Sequence, residues 1–315
     1  MREIVISKND SGQRIDRFLS KSFPLLSQGN ICKLLRKNCI KLNGKRCEAN
    51  TRLAENDIIK LFIKEELLEQ KKRDADFREQ SADIDIVYED ENILLVNKPV
   101  GMVVHEDSEN EQDTLINRIK CYLWKKGEYD PDSELSFAPA LCNRIDRNTC
   151  GIVIAAKTAE ALRVLNQKIR DRELKKIYLC IATGDVQPKS ATLTAYLEKN
   201  SDTNTVRLSD RKTKTNLTVK TKYRVIKYNG ENSLLEVDLL TGRTHQIRAH
   251  LAYIGHPLLG DGKYGNNKLN KQYGFKYQAL CSYKVIFKFT TPAGALSYLD
   301  GKEFCAPMPE FAKEF

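Results

Sequence analysis

The sequence predicts an α+β fold: a largely antiparallel mixed sheet with flanking helices, preceded by a small α/β module. Three observations lead there. Apolar or alternating runs come in pairs about short polar turns, and twice the turn is Asn-Gly, which tolerates the positive φ of a tight hairpin. Stretches with helically spaced apolar residues interrupt these hairpins. The interruptions do not follow the strand–helix–strand rhythm of a parallel sheet.

Residues 1–64 make up the small module. "REIVIS" alternates as a strand does, and "RIDRFLSKSF" sets Ile15, Phe18 and Leu19 on one helical face. Ser27 caps the next helix, whose apolar side is Ile31, Leu34 and Leu35. Lys33, Arg36 and Lys37 fall largely off that side. "CIKLNGKRC", with Lys45 just past its turn, and "DIIKLFI" supply two further strands. Basic helix faces backed by a small sheet can lay cations along a phosphate backbone. Residues 65–83 are charged, carry little apolar pattern and read as a linker.

Residues 84–315 form a second domain. "IDIVYEDENILLVNKP" is a hairpin by pattern, and "DTLINRIKCYLWKK" an amphipathic helix. "GIVIAAK" is continuously apolar, as a buried strand is. "TAEALRVLNQKIRD" follows as a helix and "KKIYLCIATG" as a strand. "KTKYRVIKYNGENSLLEVDLL" is a hairpin about the second Asn-Gly, "THQIRAHLAYIG" returns to helical spacing, and "YQALCSYKVIFKF" is the last long strand.

Composition narrows the function. With 41% hydrophobic and 30% charged residues the chain is globular rather than disordered. No run approaches a membrane span and the start is too polar for a signal peptide, so a cytoplasmic protein without membrane attachment is expected. Nine cysteines with no C-x-x-C spacing fit free thiols in a reducing compartment. The net charge of +10 is lopsided: residues 1–64 hold 14 Lys and Arg against 6 Asp and Glu, the rest 38 against 36. A basic module on a nearly neutral body suits a polyanion such as nucleic acid.

The chemistry-bearing residues are carboxylates and cations. His245 and His250 lie five apart, a poor chelating step, and no phosphate-cradling glycine loop occurs, so neither metal nor nucleotide cofactor is expected. In "NRIDRNTCG", Asp146 stands between Arg144 and Arg147, and in a strand-like segment it shares a face with Arg144. A neighbouring guanidinium favours the ionised carboxyl, so Asp146 is either a structural ion pair or a working carboxylate. "LLTGRTHQIRAHL" gathers Arg243, His245, Gln246 and Arg248, and an arginine beside the apolar stripe Ile247, Leu251 and Ile254 needs an anionic partner. "GHPLLGDGKYG" is a loop of fixed shape. Tyr178 is either core packing or a platform for a base. Cys150, at the start of a strand, reads as a structural thiol.

Two resemblances sharpen these alternatives. "QRIDRFL" and "ICKLLRKNCIKLNGK" resemble the RNA-binding domain named for small-subunit ribosomal protein S-four, over most of residues 12–62. From about Asp83 onward, "IVYEDENILLVNKPVGMVVH", "NRIDRNTCGIVIAAK", "KKIYLCIATG" and "LLTGRTHQIRAHLAYIGHPLLGDGKYG" occur in the order seen in RluA-type RNA pseudouridine synthases. That resemblance implies the fold of those enzymes and cofactor-free isomerisation of uridine to pseudouridine. It also implies structured RNA as partner, ribosomal RNA of the large subunit before transfer RNA, and a monomer with no obligate protein partner. Asp146 then falls on the catalytic aspartate, Tyr178 on the tyrosine that packs against the base and assists at its carbon 5, and Arg248 on the arginine that pairs with the aspartate. Arg144 matches the arginine that fills the space left by the flipped nucleotide. Arg243, His245, Gln246, Lys33, Arg36, Lys37 and Lys45 complete the expected RNA contacts. Asn143 departs from the family's usual histidine, and asparagine does not titrate near neutrality.

Overall fold

The computed structural model describes residues 1–68, 77–106, 112–200, 203–313 and 315; the middle of the expected linker, residues 69–76, lies outside them. The chain divides into two compact units, one of Met1–Ala82, Asn117–Pro139 and Lys157–Glu160, the other of Asp83–Ile116, Ala140–Ala156 and Ala161–Phe315. The division is therefore not a single cut along the chain.

In the first unit, β1 (Arg2–Val5) leads through α1 (Ile15–Ser22) and α2 (Gln28–Arg36) to β2 (Ile40–Leu42) and β3 (Ile58–Leu61). The strands form an antiparallel sheet with β3 in the middle. Ile15, Phe18 and Leu19 of α1 and Ile31 and Leu35 of α2 are buried together with Ile4 and Ile59, each such side chain contributing roughly 1.5–3 kcal/mol. Ser27 Oγ accepts the Asn30 backbone N–H at 3.3 Å, satisfying a donor the first turn of α2 leaves open. Lys33, Arg36, Lys37 and Lys45 are all exposed. The described flanks of the 65–83 stretch are short 3₁₀ turns, Glu65–Leu68 and Phe77–Glu79. Each buries an apolar residue: Leu68 joins the core of this unit, and the Phe77 ring meets that of Tyr129 at 5.8 Å.

The second unit starts with the expected hairpin, β4 (Ile86–Glu89) and β5 (Ile93–Lys98). Beyond α3 (Leu115–Lys125) come β6 (Ala140–Leu141), β7 (Cys150–Ala156), α4 (Ala159–Arg170) and β8 (Leu174–Thr183). A hairpin of β9 (Ser190–Asn200) and β10 (Thr205–Ser209), which alternation in "SATLTAYLEKN" marks, was absent from the sequence expectations. The Asn-Gly hairpin follows as β11 (Leu217–Tyr228) and β12 (Asn232–Asp238), then α5 (Gln246–Tyr253), α6 (Asn267–Gln272), β13 (Leu280–Phe287), β14 (Glu303–Cys305) and α7 (Glu310–Lys313). These strands build an eleven-stranded sheet ordered β10-β9-β11-β12-β8-β13-β7-β5-β4, with β14 on β13 and β6 on β7. Among the described residues only β13 and β7 pair in parallel, so the sheet is mixed and largely antiparallel, as the sequence predicts. The apolar run of β7 is explained by its central place, with Ile152, Val153, Ile154 and Ala155 fully covered. No helix among the described residues is long and apolar enough to cross a membrane.

Gly151 closes this centre. It lies in β7 at φ 105°, and a Cβ there would collide with the backbone of Ser282 on the parallel neighbour β13. Both the dihedral and the clash exclude a side chain. Gly151→Ala is expected to lower stability by about 3 kcal/mol or more. Urea denaturation of the variant beside wild type measures it.

Candidate active site

One transverse row of the sheet assembles the floor of the site. Tyr178 of β8 stands opposite Ser282 of β13, Ser282 opposite Gly151 of β7, and Gly151 opposite Lys98 at the end of β5. Directly opposed residues share a face. Tyr178 is buried. Burial pushes its phenol up to about 12, with Ser282 opposing and the Asp146 charge reinforcing, so it stays protonated at neutral pH. Lys98 is fully buried, and its ammonium donates to the carbonyls of Pro99 (2.7 Å), Met102 (2.8 Å) and Arg147 (2.8 Å). All three of its protons are used. Burial pulls it down to about 8, against the nearby Cys150 and Asp146. Lys98 thus ties the turn after β5 to the residue that follows Asp146.

Asp146 lies on the connection from β6 to β7, which is a loop and not the strand-like segment the sequence suggests. Lys98 and the Gly101 N–H both hold the Arg147 carbonyl, and the Thr149 N–H donates to the Asp146 carbonyl at 3.0 Å, closing a turn. Arg144 is exposed, and the guanidinium that holds Asp146 is that of Arg248 on α5, whose Nη1 donates to Oδ2 at 2.8 Å. Arg248 is itself 5% exposed, and its Nε and Nη2 donate to the two carboxylate oxygens of Asp261 at 2.7 and 2.9 Å. Asp261 is fully buried and also accepts the backbone N–H groups of Lys263 and Tyr264. Burial works against the charge of Arg248, yet its hydrogen bonds with Asp261 and the charges of Asp261 and Asp146 outweigh this and raise its pKa. Burial likewise works against the Asp261 carboxylate, and Arg248 with the two backbone donors pulls its pKa below the ordinary value.

His245 precedes α5 in the left-handed conformation, φ 51° and ψ 19°, which costs a non-glycine residue on the order of 1 kcal/mol. Its Nδ1 meets the Tyr264 hydroxyl at 2.9 Å and its Nε2 lies 3.9 Å from Asp146 Oδ2. Burial lowers its pKa, the Asp146 charge opposes, and Arg248 and Lys263 reinforce. The Tyr264 ring also supports the Arg248 guanidinium, 5.3 Å from its centroid. Gln246, among the expected RNA contacts, lines the cleft. It is buried, its Nε2 donates to Lys220 O and Thr221 Oγ1, and its Oε1 accepts from Thr241 Oγ1 and the Arg243 N–H. Its amide is saturated within the unit, holding the loop before α5 against β11. Asn143 is also structural, its Oδ1 accepting the Ile154 N–H of β7 at 2.8 Å.

Asn143, Asp146, Tyr178, His245, Gln246 and Arg248 line a cleft of about 1210 Å³. Arg144, Arg243, Lys176, Lys199, Lys263 and Lys276 stand along it, and Asp146 is the one acid among its described lining residues. Asp146, Tyr178, Arg248, Arg144, Arg243 and His245 are therefore brought together. Lys33, Arg36, Lys37 and Lys45 belong to the other unit. The sequence reading missed Lys98, Asp261 and Tyr264. The signal for the last two was an acid and an aromatic inside the rigid "GDGKYG" loop; nothing local marked Lys98 as a fully buried cation. No group of three or more potential metal ligands occurs among the described residues.

The helix that carries Arg248 also sets a pH limit. His250, 1% exposed, has Nδ1 2.9 Å from Thr221 Oγ1, and burial pulls its pKa from 6.5 down to about 4. The unfolded chain then binds the proton first, so this contribution to stability is complete above pH 6.5 and is lost as pH falls toward 4. The loss amounts to about 3 kcal/mol at most. Denaturation of His250→Gln across that window should show a shallower pH dependence than wild type.

Comparison with known proteins gives this arrangement a lineage. The family model described as RNA pseudouridylate synthase matches residues 92–253. An uncharacterised RNA pseudouridine synthase of Mycoplasma genitalium is 33% identical, over 90% of this chain and 88% of that protein. The ribosomal large subunit pseudouridine synthase D of Escherichia coli strain K12 is 32% identical, over 82% of this chain and 75% of its own length. The structure of human RNA pseudouridylate synthase domain containing 1 superposes with a TM-score of 0.57 at 22% identity, covering 72% of this chain and 84% of that one, which supports the fold. Sequence, fold and the matched span agree: the chain belongs to the RNA pseudouridylate synthase family.

Proposed function

We propose that this RNA pseudouridine synthase acts as a monomer on a uridine of large-subunit ribosomal RNA, with Asp146 as nucleophile on a flipped-out nucleotide. The observation that carries the reading is Asp146 itself, an acid in a cation-lined cleft, held by one hydrogen bond from the buried Arg248. A binding protein for polyanions gains nothing from an acid there. Attack by the carboxylate on the nucleoside breaks the N1–C1′ bond, whose electron pair stays with the uracil ring. The ring turns and its carbon 5 bonds to C1′ as the Asp146–C1′ ester bond breaks and returns the carboxylate; carbon 5 then loses its proton and N1 gains one. Atoms and electrons balance within the nucleotide, so the reading calls for no cofactor.

The other residues take roles that follow from position. Tyr178, a protonated phenol on the floor, packs against the uracil; Arg144, exposed at the cleft, occupies the stack the nucleotide vacates, offsetting an extrusion cost of roughly a few kcal/mol. Arg243 contacts the phosphates, and His245 the flipped nucleotide. Residues 1–64 act as the S-four-like RNA-binding domain through Lys33, Arg36, Lys37 and Lys45. The likeness to an E. coli enzyme named for the ribosomal large subunit supports ribosomal over transfer RNA, and a cytoplasmic site of action.

Two measurements test this. Asp146→Asn keeps the shape and removes the nucleophile, so turnover should fall at least about 1000-fold while RNA binding persists. An unchanged pseudouridine map of ribosomal RNA from cells carrying the variant sinks the reading, and free uracil among the products turns it into a hydrolase. Exchange of Lys33, Arg36 and Lys37 for Gln together should reduce the slope of log affinity against log salt by about 2. An equal slope removes the first unit from RNA binding.

A further inference from the structure

We propose that His245 is a catalytic residue whose Nε2–H donates a hydrogen bond to a carbonyl oxygen of the uracil and stabilises the negative charge left on the ring when the N1–C1′ bond breaks. This rests on the uridine isomerisation reading and adds the group that receives the leaving charge.

The tautomer follows from the hydrogen bonds. The Tyr264 oxygen accepts the Val206 backbone N–H at 2.8 Å and faces His245 Nδ1 at 2.9 Å. The Val206 amide can only donate and leaves the phenol proton free for Nδ1, the arrangement that puts the imidazole proton on Nε2 and that the proposal adopts. Nε2 lies 3.9 Å from Asp146 Oδ2, too far for a hydrogen bond, on a side chain 8% exposed that lines the cleft. A donor on a nearly covered side chain thus stands beside Asp146, and an oxygen to one side of the line between them can accept from it. The left-handed backbone at His245 is what turns the ring there, a conformation few non-glycine residues hold without a reason.

The ring is suited to donate as a neutral group. Asp146, Arg248, Lys263, Asp261 and Tyr264 face it; burial, Arg248 and Lys263 favour the neutral form, and the two carboxylates oppose. An imidazolium would instead pair with Asp146 and quench its attack. As the bond breaks, the electron pair spreads over N1 and the two carbonyl oxygens of the ring, and a preorganised donor acts there without reorganising.

The test uses the full chain, ribosomal RNA labelled with [5-³H]uridine, and tritium release. His245→Asn keeps a residue that tolerates the left-handed backbone but is too short to present the donor. It should lose about 100-fold in kcat with RNA affinity within about twofold of wild type. Equal kcat, or a loss confined to RNA affinity, overturns the proposal. Nitrogen NMR of histidine-labelled wild type should show the proton on Nε2, and Tyr264→Phe should release a mixture of tautomers; a proton on Nδ1 in wild type also overturns it. Wild type that binds RNA but releases no tritium defeats the isomerisation reading itself, whereas a fully active His245→Asn defeats this inference alone.

Discussion

One guanidinium shared by two carboxylates organises this protein. Arg248 gives two hydrogen bonds to Asp261 and one to Asp146. Taking an ion out of water costs several kcal/mol unless its hydrogen-bonding capacity is met. Asp261 meets that demand fully, with the fork of Arg248 and two backbone N–H groups, and its side chain is 0% exposed. Asp146 receives one bond of the three, and its side chain is 26% exposed. The same cation therefore leaves the two acids unequal. The one with fewer donors, Asp146, is the one open to the cleft.

The sheet exists around that arrangement in a specific sense. Asp146 lies 102 residues from Arg248, and Asp261 13 residues beyond it, and each is held by its own device. The Asp146 loop is tied to the end of β5 by the buried Lys98 ammonium. The start of α5 is fixed to β11 by the Gln246 amide. The Asp261 loop is held when the Asn270 side chain accepts the Gly260 N–H and donates to the Asp261 carbonyl. Each device is a buried polar group with its partners satisfied, and removal of one partner would leave the other desolvated. The row Tyr178, Ser282, Gly151 and Lys98 supplies the common frame, because strand register admits no intermediate positions.

Fold class was legible because hairpins write themselves locally. Paired apolar runs about Asn-Gly, and the continuous apolar run of β7, require no knowledge of the rest of the chain. The β9–β10 hairpin was less visible, since its strands carry Thr, Glu and Lys on an exposed face. The site was legible only through motifs taken in series. Periodicity placed Asp146 on a strand, whereas the bonds that bend it into a loop come from Lys98, 48 residues away in sequence by number, and from Gly101. Gln246 is expected among the RNA contacts because it stands in a basic motif; its burial is decided by β11, which the motif does not contain. Long-range hydrogen bonds are what single-sequence reading cannot supply.

The cations of the cleft divide by exposure. Arg144 and Arg243 are exposed, and charges at a solvated rim are screened over roughly 8–10 Å at physiological salt. Their interaction with a phosphate backbone is favourable and releases counterions. A polyanion bound at the rim would neutralise these exposed cations. Arg248 is exempt, because it is buried and already bound by Asp261. The result is a division of labour by burial: exposed cations answer to the polyanion, and the covered one answers to the carboxylate.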